Sequence, residues 1–112
     1  LGYVPASKGI HTAGFAAMLR LLRDGKAWVK LTAPYRLTLA AMPYGDTDAF
    51  AQTLVEAAPD RLLWGSDWPH VFIKSAMPND GELFDVFAHW VRDGAMRQRI
   101  LVDHPAKLYD FN

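Results

Sequence analysis

Hydrophobic residues follow two patterns along this chain: apolar positions that recur with the period of a helix, and short runs that are rich in apolar residues. Apolar positions spaced three and four residues apart predict a core-facing helix over residues 12–24, which Gly25 ends in a left-handed conformation. The stripe of this helix consists of Phe15, Met18, Leu19 and Leu22. We expect this stripe to pack against the core.

A second helical stripe predicts a helix over residues 48–58. Asp46 or Thr47 is expected to cap its first turn, and Pro59 marks its end. The inner face of this helix consists of Phe50, Leu54 and Ala58. Between this helix and the strand before it, residues 35–45 show no clear period and predict a loop with one helical turn.

A third helix is predicted from Gly81 to about Arg92, with Asp80 as its cap and Gly94 as its stop. Its apolar stripe consists of Leu83, Val86, Phe87, Trp90 and Val91. A last short helix, AMRQRILV, is predicted before a tail, DHPAKLYDFN.

Two short apolar runs, AWVKLTA at residues 27–33 and RLLWG at residues 61–65, predict strands. Because helices alternate with these strands, we expect an α/β fold with parallel pairing. Two strands that are covered on both faces need neighbours on their edges. We therefore predict that residues 1–112 form one partial domain cut from a larger α/β barrel or sheet.

Composition limits the classes of partner and compartment. Twelve basic residues balance twelve acidic ones, which argues against nucleic acid and anionic membranes as partners. The sequence lacks cysteine, so any metal site would need nitrogen and oxygen ligands. No apolar run approaches the length of a membrane span, about 18 residues, and the first residues lack signal-peptide features. We expect a soluble, cytoplasmic protein.

Polar residues gather just past the predicted strands. Tyr35 and Arg36 follow the first strand, and Asp67 and His70 follow the second. Because the carboxyl ends of neighbouring parallel strands face one rim, these side chains are expected to meet there. Asp67 could activate water as a general base or bind a divalent metal, and Arg36 could clamp a carboxylate.

Structural roles compete with each of these candidates. An Asp after Gly-Ser at a strand end is often a turn acceptor or helix cap, and an Arg such as Arg36 is often solvated. The chain's tryptophans are expected to form core or wall. Its histidines lack a second histidine at metal-ligand spacing, which favours hydrogen-bonded structural roles; His70 is the best functional candidate because it shares a loop with Asp67.

Four motifs, in order, resemble a known family. GKAWVKLTAPYRLT, RLLWGSDWPH, MPNDGEL and ILVDHPAKLYDF are similar to the C-terminal segment of the amidohydrolase-related TIM-barrel hydrolases, within them the group of 2-pyrone-4,6-dicarboxylate lactonase. The resemblance covers essentially the whole chain. It implies the last quarter of a (β/α)8 barrel, with residues 27–33 and 61–65 as its final two strands.

The resemblance also implies roles for the rim residues. Asp67 matches the acid after the eighth strand, which activates water in lactonases and binds a metal such as zinc in metal-dependent relatives. Arg36 matches the arginine that grips a substrate carboxylate, with Tyr35 and His70 as further substrate-binding residues. No cofactor is expected for a lactonase that acts on a pyrone dicarboxylate or a similar carboxylated intermediate of aromatic-compound degradation.

The histidine pair that this family carries after its first strand has no counterpart in the sequence. Catalysis is therefore expected to need the remaining barrel strands or a second copy of the chain. Two alternatives stay open: a metal-dependent hydrolase or decarboxylase of the same family, and a non-catalytic barrel fragment that self-associates through its strand edges.

Overall fold

A computed structural model describes residues 1–2, 4–68 and 78–110. Its main elements, in chain order, are α1 (Ala13–Arg23), β1 (Val29–Leu31), α2 (Asp48–Ala57), β2 (Leu62–Trp64), α3 (Asp80–Trp90), α4 (Gly94–Gln98) and α5 (His104–Leu108). Short 3-10 turns cover Ala6–Lys8, Pro34–Arg36 and Gly45–Thr47, and one π-helical turn, Arg99–Asp103, joins α4 to α5. The predicted order of helices and strands is confirmed as far as α4, and α5 lies in the predicted tail.

The two strands pair in parallel, as predicted, with Val29 opposite Leu62 and Leu31 opposite Trp64. The helices cover this sheet with the apolar stripes that their spacing predicts. Phe15 of α1 and Phe50 of α2 meet edge to face, with ring centroids 5.2 Å apart. The side chains that are almost completely buried include Phe15, Phe50, Phe87, Leu22, Leu31, Leu54, Leu62 and Ile100.

Helix caps differ from the sequence prediction at α2. Thr47 is the last residue of the 3-10 turn Gly45–Thr47 and already has helical backbone angles; its hydroxyl donates back to the Tyr44 carbonyl at 2.7 Å and does not cap α2. Asp46 accepts a hydrogen bond from Thr38. The prediction of a side-chain cap at either residue is wrong, because the chain enters α2 without the extended residue that such a cap requires.

The cap of α3 lies one residue earlier than predicted. Asn79 has extended backbone angles, its Oδ1 accepts from the Glu82 amide at 2.7 Å, and its Nδ2 donates to Glu82 Oε1 at 2.9 Å. Asp80 is the first helical residue. This reciprocal pair satisfies an amide at the open end of the helix, which a carboxylate already inside the helix does not do.

The end of α3 and the helices after it also differ from the sequence prediction. Helix α3 ends at Trp90, and Gly94 is not its stop but the first residue of α4, capped by Asp93. The predicted tail is helical as far as Leu108. Pro105 permits this because it lies in the first turn of α5, where an amide proton is not needed. Within the described ranges, no helix is both long and apolar enough to cross a membrane.

Replacement of Asn79 by Ala is expected to lower the free energy of unfolding by about 1 kcal/mol, because α3 loses its cap. Replacement of Asp80 by Ala is expected to cost about 0.3–0.5 kcal/mol, the size of an exposed charge near a helix start. Urea unfolding of the two variants compares them directly. Equal losses, or a larger loss for Asp80→Ala, would contradict the cap that the structure assigns.

Candidate active site at the carboxyl ends of the strands

Parallel register brings the segments after β1 and β2 to one edge of the sheet. Thr32, just past β1, donates its hydroxyl to the Gly65 carbonyl, just past β2, at 2.5 Å. This bond ties the two chain segments together where the strands end. Nothing in the sequence identifies Thr32 as a site residue, because an isolated threonine at a strand end carries no signal of such a bond.

Both segments then turn through a left-handed residue. Asp67 has φ 63°, and Ala33 has φ 52° and ψ 51°. Aspartate tolerates this conformation, whereas alanine adopts it at a cost of about 1–2 kcal/mol. Backbone of this kind persists where the surrounding structure holds it, often at functional sites. The turn at Ala33 leads into Pro34, and the side chains of Tyr35 and Arg36 that follow contact Asp67.

The Asp67 carboxylate accepts hydrogen bonds from both of these side chains. Tyr35 Oη donates to Asp67 Oδ2 at 2.5 Å. Arg36 Nε lies 3.0 Å from the same oxygen, and Arg36 Nη2 also lies 3.0 Å from it. The structure thus brings Asp67, Tyr35 and Arg36 together, and their predicted roles in substrate binding and catalysis remain predictions.

Burial strengthens these contacts. The Arg36 side chain is 17% exposed and that of Asp67 32% exposed, so the pair is shielded from the screening that weakens ion pairs in open solvent. Arg36 is therefore not the solvated surface residue of the competing interpretation. Burial raises the pKa of the Tyr35 phenol far above its usual value, and the hydrogen bond to Asp67 raises it further. The phenol consequently keeps its proton and acts as a donor.

Two hollows lie against Arg36. One, of about 410 Å³, is lined by Asp67, Thr32 and Ala33 together with apolar residues. The other, of about 540 Å³, is lined by Tyr35 and the loop that follows it. Each has the size of a small-molecule site. A ligand in either hollow would meet the guanidinium, and one in the first would also meet the carboxylate.

A larger hollow, of about 570 Å³, opens at the amino ends of the strands. Its side chains serve the fold: Asp60 pairs with Arg99, and the Arg61 guanidinium lies 5.0 Å from the centre of the Trp28 ring. Ligand sites of parallel α/β proteins lie at the carboxyl ends. The smaller hollow beside Asp67 is therefore the better candidate.

The other candidates from the sequence are histidines and tryptophans, and those that the structure describes lie in different surroundings. His70 lies outside the described residues. His104 is buried, and its Nδ1 donates to the Leu62 carbonyl at 2.8 Å, which confirms the structural role predicted for it. Trp68, beside Asp67, is 74% exposed and is not a core residue. Among the described side chains, no group of three or more histidines and carboxylates could hold a metal ion.

Comparison with known proteins relates this arrangement to a family. A family model described as Amidohydrolase matches residues 1–111. The 4-sulfomuconolactone hydrolase of Rhizobium radiobacter is 43% identical over 110 residues, which cover 96% of this chain and 37% of that enzyme. The 2-pyrone-4,6-dicarboxylate hydrolase of Comamonas testosteroni is 36% identical over 118 residues, covering 97% of this chain and 39% of that enzyme.

A third relative catalyses a different reaction of a lactone. The D-galactarolactone isomerase of Agrobacterium fabrum is 37% identical over 106 residues, covering 91% of this chain and 36% of that enzyme. The chain thus spans less than two fifths of the length of these three curated relatives. In structure the chain is similar to an Acinetobacter baumannii protein that was solved with citric acid bound, with a TM-score of 0.80 and 29% sequence identity. The match covers 98% of this chain and 41% of that protein.

Proposed function

Because this chain belongs to the amidohydrolase family, we propose that it supplies the C-terminal part of a (β/α)8 barrel hydrolase that opens a lactone ring. Two of the relatives named above are hydrolases of lactones or pyrones, which supports this reaction class. The match to about two fifths of a solved relative supports a partial barrel. The sheet also supports a partial barrel, because its two described strands bury most of their side chains but pair only with each other.

The observation that carries the proposal is the Asp67 carboxylate, held by Tyr35 and Arg36 at the carboxyl ends of the strands and beside a hollow. A carboxylate in this position can act as a general base. It takes a proton from a water molecule whose oxygen attacks the lactone carbonyl carbon. The ring C–O bond then breaks, and the ring oxygen leaves with the electron pair and takes up the proton that Asp67 removed from the water, which regenerates the carboxylate.

Arg36 supplies recognition of a carboxylated substrate. Its planar guanidinium carries five N–H donors and can bind more than one carboxylate at a time. It can therefore hold Asp67 and a substrate carboxylate together, which places the lactone beside the base. The citric acid bound by the solved relative supports a site that accepts carboxylates.

A metal-dependent hydrolase is the alternative within the same family. Asp67 offers one oxygen donor of the kind that zinc and similar ions bind. The described part of the chain provides no group of three such ligands around it, so these residues do not form a metal site by themselves. No step of the proposed mechanism is assigned to a metal.

The test is hydrolysis of 2-pyrone-4,6-dicarboxylate and of 4-sulfomuconolactone, followed by ultraviolet absorbance, with the complete barrel protein that contains this chain. We expect turnover of a carboxylated lactone that survives prolonged treatment with a chelator. Turnover that is lost with the chelator and restored by zinc would favour the metal-dependent alternative. No turnover of either compound would overturn the lactonase proposal.

A further inference from the structure

Tyr35 is buried and packed against two neighbouring side chains. It lies in the 3-10 turn Pro34–Arg36, and its side chain belongs to a small buried cluster at 7% exposure. Its ring packs against Tyr44, with ring centroids 6.3 Å apart, and the Arg36 guanidinium lies 5.7 Å from its centre. The turn and these two neighbours restrict the orientation of the Tyr35 ring.

In that orientation the phenol points at the proposed base. The 2.5 Å bond from Tyr35 Oη to Asp67 Oδ2 is shorter than either contact of Arg36 with the same oxygen, both of which are 3.0 Å. Three donors on one oxygen define the direction in which the carboxylate lies. Burial and the neighbouring carboxylate hold the pKa of the phenol far above neutrality, so the group is a poor proton shuttle and a permanent donor.

We propose that Tyr35 is a positioning residue for Asp67, which orients the carboxylate for proton abstraction, and that it does not bind the substrate. This inference rests on the proposed function, in which Asp67 is the general base. It assigns the two members of the Tyr-Arg pair different tasks. Arg36 contacts both Asp67 and the substrate, whereas Tyr35 acts through Asp67.

The test compares Tyr35→Phe with Tyr44→Phe in the complete barrel protein, with the pyrone dicarboxylate as substrate. Both variants remove a hydroxyl from a buried ring of the same cluster, but only Tyr35 bonds Asp67. For Tyr35→Phe we expect kcat to fall by about 10- to 100-fold with KM within about twofold of wild type, the pattern of an interaction that matters in the transition state. For Tyr44→Phe, kcat and KM are expected to stay within about twofold of wild type.

Other outcomes separate this inference from the function on which it rests. A raised KM with unchanged kcat in Tyr35→Phe would overturn it and make Tyr35 a substrate ligand. Equal losses of kcat in both phenylalanine variants would also overturn it, because the cause would then be the packing of the cluster. Where wild type is active and Asp67→Asn is inactive, either of these two outcomes would reject the positioning role of Tyr35 but leave the proposed function of Asp67 unchanged. Full activity of Asp67→Asn would reject both.

Discussion

The Asp67→Asn variant is expected to lose about 10²- to 10⁴-fold in kcat on a carboxylated lactone, because an amide cannot accept the proton of the attacking water. Asparagine is the appropriate replacement on structural grounds. Residue 67 has a positive φ, which asparagine tolerates as well as aspartate does. Its amide oxygen can still accept from Tyr35 and Arg36, so the free energy of unfolding is expected to stay within about 1 kcal/mol of wild type.

Asp60→Asn provides a matched control. Asp60 also pairs with an arginine, Arg99, but that pair lies at the amino ends of the strands. Its loss is expected to leave kcat within about twofold of wild type, as for a surface ion pair of little energetic weight. Steady-state kinetics of both variants measure the loss of kcat, and urea unfolding shows whether each variant is as stable as wild type. An Asp67→Asn protein that is folded and fully active would remove Asp67 from the mechanism.

The sequence predicts most of this fold because helical stripes and short apolar runs report burial directly. Phe50 and Leu54 lie in the core as their spacing indicates, and Leu62 lies in a strand that is paired in parallel. Caps are harder to predict, since several polar residues precede each helix. Asn79 and Asp80 are both suitable by type, and only the backbone angles of Asn79 select it.

The candidate site is predictable in outline and not in its contacts. Residues that directly follow neighbouring parallel strands lie at the same edge of the sheet. The positions of Tyr35, Arg36 and Asp67 in the sequence are therefore enough to predict that they lie near one another. That the phenol and the guanidinium bind the carboxylate itself depends on the left-handed turn at Ala33. Alanine seldom adopts that conformation, so nothing in the sequence predicts it.

Replacement of Arg36 is expected to cause the second largest loss of activity, because its side chain contacts both the base, Asp67, and the substrate. Arg36→Met removes the charge and the donors, and kcat/KM for the pyrone dicarboxylate is expected to fall by about 10²- to 10³-fold, the equivalent of one or two charge-assisted hydrogen bonds. Arg36→Lys keeps the charge but not the fork, so only part of this loss is expected to be recovered. The measurement is kcat and KM for each variant.

A substrate without carboxylates separates the two tasks of Arg36. Unsubstituted 2-pyrone has the same ring ester, so its hydrolysis by Arg36→Met is expected to reveal the contact with Asp67 alone, as a smaller loss in kcat. The additional loss with the dicarboxylate is then the contribution of the clamp, because the two substrates differ only in the groups that the guanidinium would bind. Equal losses for both substrates would show that Arg36 serves Asp67 only and would leave the carboxylate clamp to another residue of the barrel.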